Sequence, residues 1–364
     1  ASAGMAGASM QYAIERMADC CAMEAGKDPI AWRLENFTPR NEAGPTGRNR
    51  RNAQLKELFD ELQDISDYRR KRSAYELIRK RRPDPEAAPG FGIGMAFGYQ
   101  TNDGTRLLGG TTGMAVEATL DKQSRLTILT SVLPSDPRAI DLWKREAAET
   151  LDIEPGSVHI LPVGTDSVPD SGAAAFSSGV SIITGLIADA CEGIRSKRFR
   201  EGLPITVRKT PRRKRRIPSA LDGASWGGAV VELSVDPLEP DPVVRGIWMA
   251  VNAGRILSLE HAEQSMRRDI ARALSNSQRE HIVRNNPRTE LSPLFSYSPL
   301  RIRDIPPIEL RFVGQGHADS PGGIGELAFA AVPAAFANAL SQALDRPVDS
   351  LPLQARHEER RMPR

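Results

Sequence analysis

One stretch of the chain places a reactive side chain where chemistry is plausible on physical grounds. Residues 320–340 read SPGGIGELAFAAVPAAFANAL, and Glu326 is the only acid among them. Gly322, Gly323 and Gly325 precede it, and a run of small apolar residues follows. This order is a glycine turn opening an apolar helix, with the carboxylate at the helix start. There the amide dipoles favour the ionised form by about 0.3–1 kcal/mol, whereas burial among apolar neighbours raises the pKa. A carboxylate held between those effects suits a general base. The same position suits a plain helix cap, and the residues alone leave both readings open.

Three further stretches carry patterns with chemical meaning. Residues 163–191, VGTDSVPDSGAAAFSSGVSIITGLIADAC, form a turn of small residues leading into a helix with few charges. Ala174, Ala175, Phe176 and Ser177 lie at that entry, where small side chains admit a ligand to the backbone and helix-start amides hold anionic groups. A buried helix with a small-residue entry fits the composition equally well. Residues 90–98, GFGIGMAFG, follow a proline-rich linker and lead into β-like sequence. A dinucleotide-binding turn needs strand, glycine turn and helix in that order, so glycines in a closely packed strand are expected instead. Residues 208–216, RKTPRRKRR, hold seven basic residues in nine positions. Without interleaved aromatics, a solvated loop or a contact to an acidic partner is favoured over nucleic-acid binding.

These residues need a scaffold, and 364 residues suffice for roughly two domains or one composite one. The chain is 40% hydrophobic and 26% charged, ordinary for a globular protein, and its net charge of +3 is weak evidence for a polyanion partner. No run is read as reaching the ~18 apolar residues of a membrane helix, so no membrane is expected. The start, ASAGMAGASM, lacks the basic and apolar regions of a secretory signal. It also lacks an initiator Met, and a longer precursor or a partner is expected to precede it. Cys20, Cys21 and Cys191 form no CxxC pair and the five histidines are scattered. That pattern speaks against a cysteine-ligated cluster or a histidine-built metal site in this chain, and fits a reducing, cytoplasmic location.

Apolar residues at 10, 13, 14, 17 and 21 have the spacing of one helical face, ended by Gly26 and Lys27. Asp28 and Pro29 cap and start the next helix. Residues 40–52 read as an exposed loop, 53–82 as a charged surface helix pair, and 83–90 as a linker. Strands are expected at 92–100, 109–120, 124–133, 157–164, 227–235, 244–251 and 307–313. Helices are expected at 138–151, 179–198, 258–273 and 326–344. The fold class is α+β, in three units: a helical segment with linker (1–89), a first α+β lobe (90–216), and a second lobe (217–364) carrying the Gly-x-Gly-Glu turn.

Four of these stretches, in order, resemble landmarks of the xanthine dehydrogenase and aldehyde oxidase family of molybdenum hydroxylases. Residues 322–353, GGIGELAFAAVPAAFANALSQALDRPVDSLPL, resemble its Gly-x-Gly-Glu turn, Ala/Asn-rich helix and closing Leu-Pro. Residues 251–265, VNAGRILSLEHAEQS, are similar to its Asp-x-Gly-Arg-x-x-Asn-Pro segment. Residues 164–179 look like its Asp-Thr…Pro…Thr-Ala-Ala-Ser segment, and 5–36 like the segment ending Gly-x-Asp-Pro-x-x-x-Arg.

The resemblance implies the C-terminal half of a molybdopterin-binding subunit, with mixed sheets and packed helices. It implies a molybdenum–molybdopterin cofactor, the cytosine dinucleotide form included, whose metal is held through the pterin dithiolene and by no protein ligand. Glu326 would take a proton from a hydroxide carried by that cofactor. Gly323, Gly325, Ala174, Ala175, Phe176 and Ser177 would line the cofactor side. The implied reaction is oxidative hydroxylation of an N-heterocycle or aldehyde, with water as oxygen source. The implied partners are the N-terminal half of the molybdenum subunit and subunits or domains bearing 2Fe–2S and FAD. Ala3 stands where the family has arginine, and the Gly-Gln-Gly triplet occurs at 314–316 rather than near 131–140. Those departures motivate the alternative, a catalytically inactive assembly or scaffold subunit.

Overall fold

A computed structural model describes residues 5–36, 53–82, 88–100, 114–132, 137–161, 178–211, 224–239, 241–280, 284–286, 290–291, 298–314 and 321–352. The expected loop at 40–52 and most of the linker lie outside them.

The core is organised by strand β1 (Gly90–Gln100), whose sequence alternates small and large residues. Gly90, Gly92, Gly94, Ala96 and Gly98 share one face; Phe91, Ile93, Met95, Phe97 and Tyr99 share the other, because side chains alternate along a strand. The small face receives the apolar C-terminal helix (Leu327–Leu344) at backbone contact. A Cβ on Gly92 would fall 1.9 Å from the Ala339 carbonyl oxygen, and one on Gly94 2.2 Å from that of Ala335. Only glycine admits the helix so closely. The large face packs Ile93, Met95 and Phe97 against Leu58, Phe59, Leu62 and Tyr68. Those residues come from helices α3 (Ala53–Ser66) and α4 (Tyr68–Arg81), the helix pair expected at 53–82.

β1 pairs antiparallel with β6 (Ser225–Val235), β6 antiparallel with β7 (Val243–Asn252), and β7 parallel with β10 (Ile308–Phe312). A second four-stranded mixed sheet has the order β4-β3-β2-β5. Its strands are β2 (Val116–Leu120), β3 (Leu126–Thr130), β4 (Val158–Ile160) and β5 (Ile205–Lys209). Helices α5 (Pro137–Leu151) and α6 (Ser178–Lys197) cover it, and alternate residues of β2 and β3 are buried. Trp143 is fully buried there, and its indole N–H donates to the Thr184 hydroxyl at 2.9 Å. A two-stranded ribbon joins β8 (Arg284–Asn286) to β9 (Glu290–Leu291).

Helix α7 (Leu259–Gln278) and the C-terminal helix, α8 (Leu327–Leu344), share one core with the inner face of the first sheet. Contrary to the expectation that no run is long and apolar enough to cross a membrane, α8 is so by length and composition, but 89% of it is buried inside the protein. The two layers are tied by Arg255, whose guanidinium donates to both carboxylate oxygens of Glu146 at 3.1 and 2.9 Å. Arg138 adds a hydrogen bond to Gln264 at 2.6 Å. Sheet membership cuts across the segments 1–89, 90–216 and 217–364, because β1 completes a sheet built mainly by residues 225–312.

Two details differ from the sequence reading. Residues 205–209 form edge strand β5, so the basic run begins on a sheet edge with Arg208 and Lys209; lysine and arginine there discourage pairing with another chain. The rest of that run lies largely outside the described residues. Helix α1 (Met5–Glu24) buries Arg16, Asp19 and Ala22 and packs Ala8 and Tyr12 on the core, while Met10, Ile14, Met17 and Met23 stay exposed. Helix α2 (Pro29–Glu35) starts as expected, with the Asp28 carboxylate accepting from the amides of Ile30 and Ala31.

Candidate functional site

Strands β1, β7 and β10 all end at one rim of the first sheet, and α8 begins beside it. The register fixes this: Gln100 sits opposite Ser225, Trp226 opposite Asn252, and Phe312 opposite Val251. Past β7 the chain turns through Gly254, whose φ of +70° is left-handed backbone suited to glycine. Gly254 bridges to Pro321, and the Gly322 amide donates to the Ala253 carbonyl at 2.7 Å. Two of the four landmark stretches, 251–265 and 322–353, therefore meet at this rim. Gly314, at the end of β10, has φ +69°, and a Cβ there would lie 2.3 Å from the Asn252 side-chain nitrogen.

Glu326 occupies the N-cap position of α8, and its side chain makes no capping hydrogen bond. The geometry decides against the simple cap. Instead the Glu326 amide donates to the side-chain oxygen of Gln100 at 2.8 Å, while the Glu326 carbonyl accepts from Ala330 at 3.0 Å. Gln100 is buried, and its side chain satisfies an amide that the helix start leaves without an intrahelical partner. The Glu326 carboxyl is half-buried, and burial pushes its pKa above the ordinary 4.5. Among the described residues no cation or donor pairs with it. Such a group ionises reluctantly and readily takes a proton from an acidic neighbour.

Gly323 is buried and Gly325 half-buried in the turn, but neither has the left-handed backbone found at Gly254 and Gly314. Ala174, Ala175, Phe176 and Ser177 lie outside the described residues, as does the continuation of the Gly-Gln-Gly triplet beyond Gly314. Among the described residues no group of three His, Cys, Asp or Glu side chains could hold a metal ion. Gln100 was missed by sequence reasoning. A signal for it existed: Gln100 continues the face of β1 formed by Gly90, Gly92, Gly94, Ala96 and Gly98, so it had to point at α8.

No family model matches the chain by sequence, and no curated protein matches it. By shape it is similar to quinoline 2-oxidoreductase from Pseudomonas putida 86. The TM-score is 0.80 at 18% identity, over 100% of this chain and 53% of that one. The aldehyde oxidoreductase from Desulfovibrio gigas superposes with a TM-score of 0.74 at 19% identity, over 97% and 40% of the two chains. CO dehydrogenase from Oligotropha carboxidovorans gives 0.78 at 14% identity, over 92% and 48%. The fold is that of the molybdenum-binding domain of molybdenum hydroxylases. The chain spans about half the length of these neighbours.

Proposed function

We propose that the chain is one half of a molybdenum-dependent hydroxylase that converts an N-heterocycle or aldehyde C–H, together with water, into C–OH, two electrons and two protons. The observation that supports this reading most directly is Glu326: a half-buried carboxyl without a partner among the described residues, fixed through its backbone by Gln100, at the rim where three strands end. The residues fit the implied cofactor in this respect, since a proton acceptor left uncompensated by its own chain suits a protic group brought by another molecule. Molybdopterin-bound molybdenum, in the plain or cytosine dinucleotide form, would supply the two-electron redox capacity.

In this proposal the chain binds, orients and moves a proton. Glu326 accepts the proton released as water-derived oxygen bonds to the substrate carbon. Gln100 holds the Glu326 backbone, so the carboxyl enters the reaction from a fixed direction. Gly323 and Gly325 keep the turn slim, and Ala174, Ala175, Phe176 and Ser177 are assigned to the cofactor side. The other half of the molybdenum subunit, and groups of the 2Fe–2S and FAD type on partners, would complete the enzyme and remove the electrons. Its proposed location is the cytoplasm.

The test uses the assembled complex. Glu326→Gln is expected to leave molybdenum content unchanged while lowering turnover by about 10²–10⁴-fold, the usual share of a general base. Retained turnover would remove Glu326 from the mechanism. A complex without molybdenum would favour the alternative, a diverged homologue serving as a scaffold.

A further inference from the structure

The most unusual element is α1, because it buries charged side chains while leaving its large aliphatic ones exposed. Its buried face carries Glu15, Arg16 and Asp19 beside Ala8, Tyr12 and Ala22. Glu15 accepts from the Arg33 guanidinium at 3.0 and 3.2 Å and from the Phe97 amide at 3.1 Å. Asp19 accepts from Arg33 at 2.9 Å, and Arg16 donates to the Asn338 side-chain oxygen at 2.6 Å. Its outer face is apolar: Met10 is 64% exposed, Ile14 50% and Met17 65%. With Ala13, Ala18, Cys21 and Trp32 of α2, Ile14 and Met17 line an open groove of about 500 Å³. Among the described residues no charged side chain lines it.

The exposure is built in. Rolling α1 to bury its apolar stripe would pull Glu15, Arg16 and Asp19 from their partners and leave the buried Arg33 guanidinium of α2 without its carboxylates. A fold that fixes a methionine-rich stripe outward has it covered by something else, since contiguous exposed apolar surface marks an interaction site. An uncharged lining fits an apolar protein surface rather than nucleic acid or an acidic segment. The solved neighbours carry about as much chain again beyond what this one spans. A large complementary body of the same architecture is therefore available to cover it.

We infer that the outer face of α1, centred on Ile14 and Met17, is the docking surface for the half of the molybdenum-hydroxylase architecture that this chain does not span, whether joined to it or separate. The inference shares with the proposed function the premise that the remaining half is supplied, but not the premise of catalysis. Methionines suit this role because their flexible thioethers fill irregular apolar surface.

The test places a photo-crosslinking amino acid at position 14 or 17 of the chain in its purified native complex and identifies the captured peptide by mass spectrometry. Capture of polypeptide belonging to the other half of that architecture is expected. Capture of a second copy of this chain, of an iron–sulfur or flavin subunit, or of nothing overturns the inference. In parallel, Ile14→Lys with Met17→Lys is expected to weaken assembly at least about 30-fold, the scale of losing one or more interface hot spots. The melting temperature of the chain should stay the same, because both side chains are already exposed. Leu238→Lys, at a 92% exposed position elsewhere, serves as control and should leave assembly unchanged. Unchanged assembly in the double variant also overturns the proposal. Molybdenum analysis separates the two readings. A crosslinked complex without molybdenum sinks the catalytic one alone, and a molybdenum-containing complex without the α1 crosslink sinks the docking surface alone.

Discussion

At the scale of single residues, Glu326 and Gln100 divide one task. The glutamine satisfies the amide at the helix start, and the glutamate is left with a carboxyl that no described residue pairs with and whose pKa burial raises. A raised pKa on an acid has a definite consequence for stability. Below the unfolded-state value near 4.5 both states are protonated and burial of the charge costs nothing. As pH rises, the unfolded chain releases its proton first, and stability falls until pH passes the folded-state pKa. The deficit is complete above it. Glu326→Gln should therefore melt with the wild type at acid pH and above it at neutral pH, the gap opening as pH climbs. A gap of the opposite sign would mean that the carboxylate has a stabilising partner. Glu326 stood out in the sequence because it is a lone acid in an apolar stretch. Gln100 did not, because it looked like the polar end of a strand until α8 was seen to lie on that face.

At the scale of elements, the face of β1 lined by Gly90, Gly92, Gly94 and Gly98 against the alanines of α8 is the main packing device. A methyl group on Gly94 would lie 2.2 Å from one helix carbonyl oxygen and 2.3 Å from the Ala339 amide nitrogen, so the helix must move. Gly94→Ala should cost on the order of 1–3 kcal/mol or more. Gly185, inside α6, has nothing within 4 Å of the same added methyl, and Gly185→Ala should gain up to about 1 kcal/mol. Denaturant melts of the two variants check this pair, and equal effects would refute the close-contact account. The period-two pattern that makes β1 was plain in the sequence, and so were the stop and restart at Gly26 and Asp28. The direction of α1 was not. Helical periodicity reveals a stripe, but only the ion pairs of Arg33, contributed by another helix, decide which side is buried. Strand β5 escaped notice because its second half belongs to a basic run that reads as loop.

At the scale of the whole molecule, two layered units share one chain and meet through a few polar bonds. Arg255 leaves the turn after β7, one residue beyond Gly254, and grips Glu146 on α5 with two hydrogen bonds. Arg255→Ala should speed amide exchange at the start of α7 and along α5 while leaving α8 and β1 protected. Uniform loosening would show instead that the two layers unfold as one. The general α+β class followed from alternating strand and helix patterns. Which strands share a sheet did not follow, because β1 pairs with a strand more than a hundred residues away.

Helix α8 has almost no free side, being enclosed by β1, β6, α1 and α7 along most of its length. Anyone wishing to retune the acidity or aim of its leading carboxylate gains little by varying the helix itself, where nearly any larger side chain collides with neighbours. The adjustable positions are the strand tips beside it, Gln100 and Asn252, on two separate strands; Gly314, with left-handed backbone and no room for a Cβ beside Asn252, is not one of them. A library meant to change the setting of that carboxylate would do best to randomise those tips and treat the rod behind them as fixed hardware.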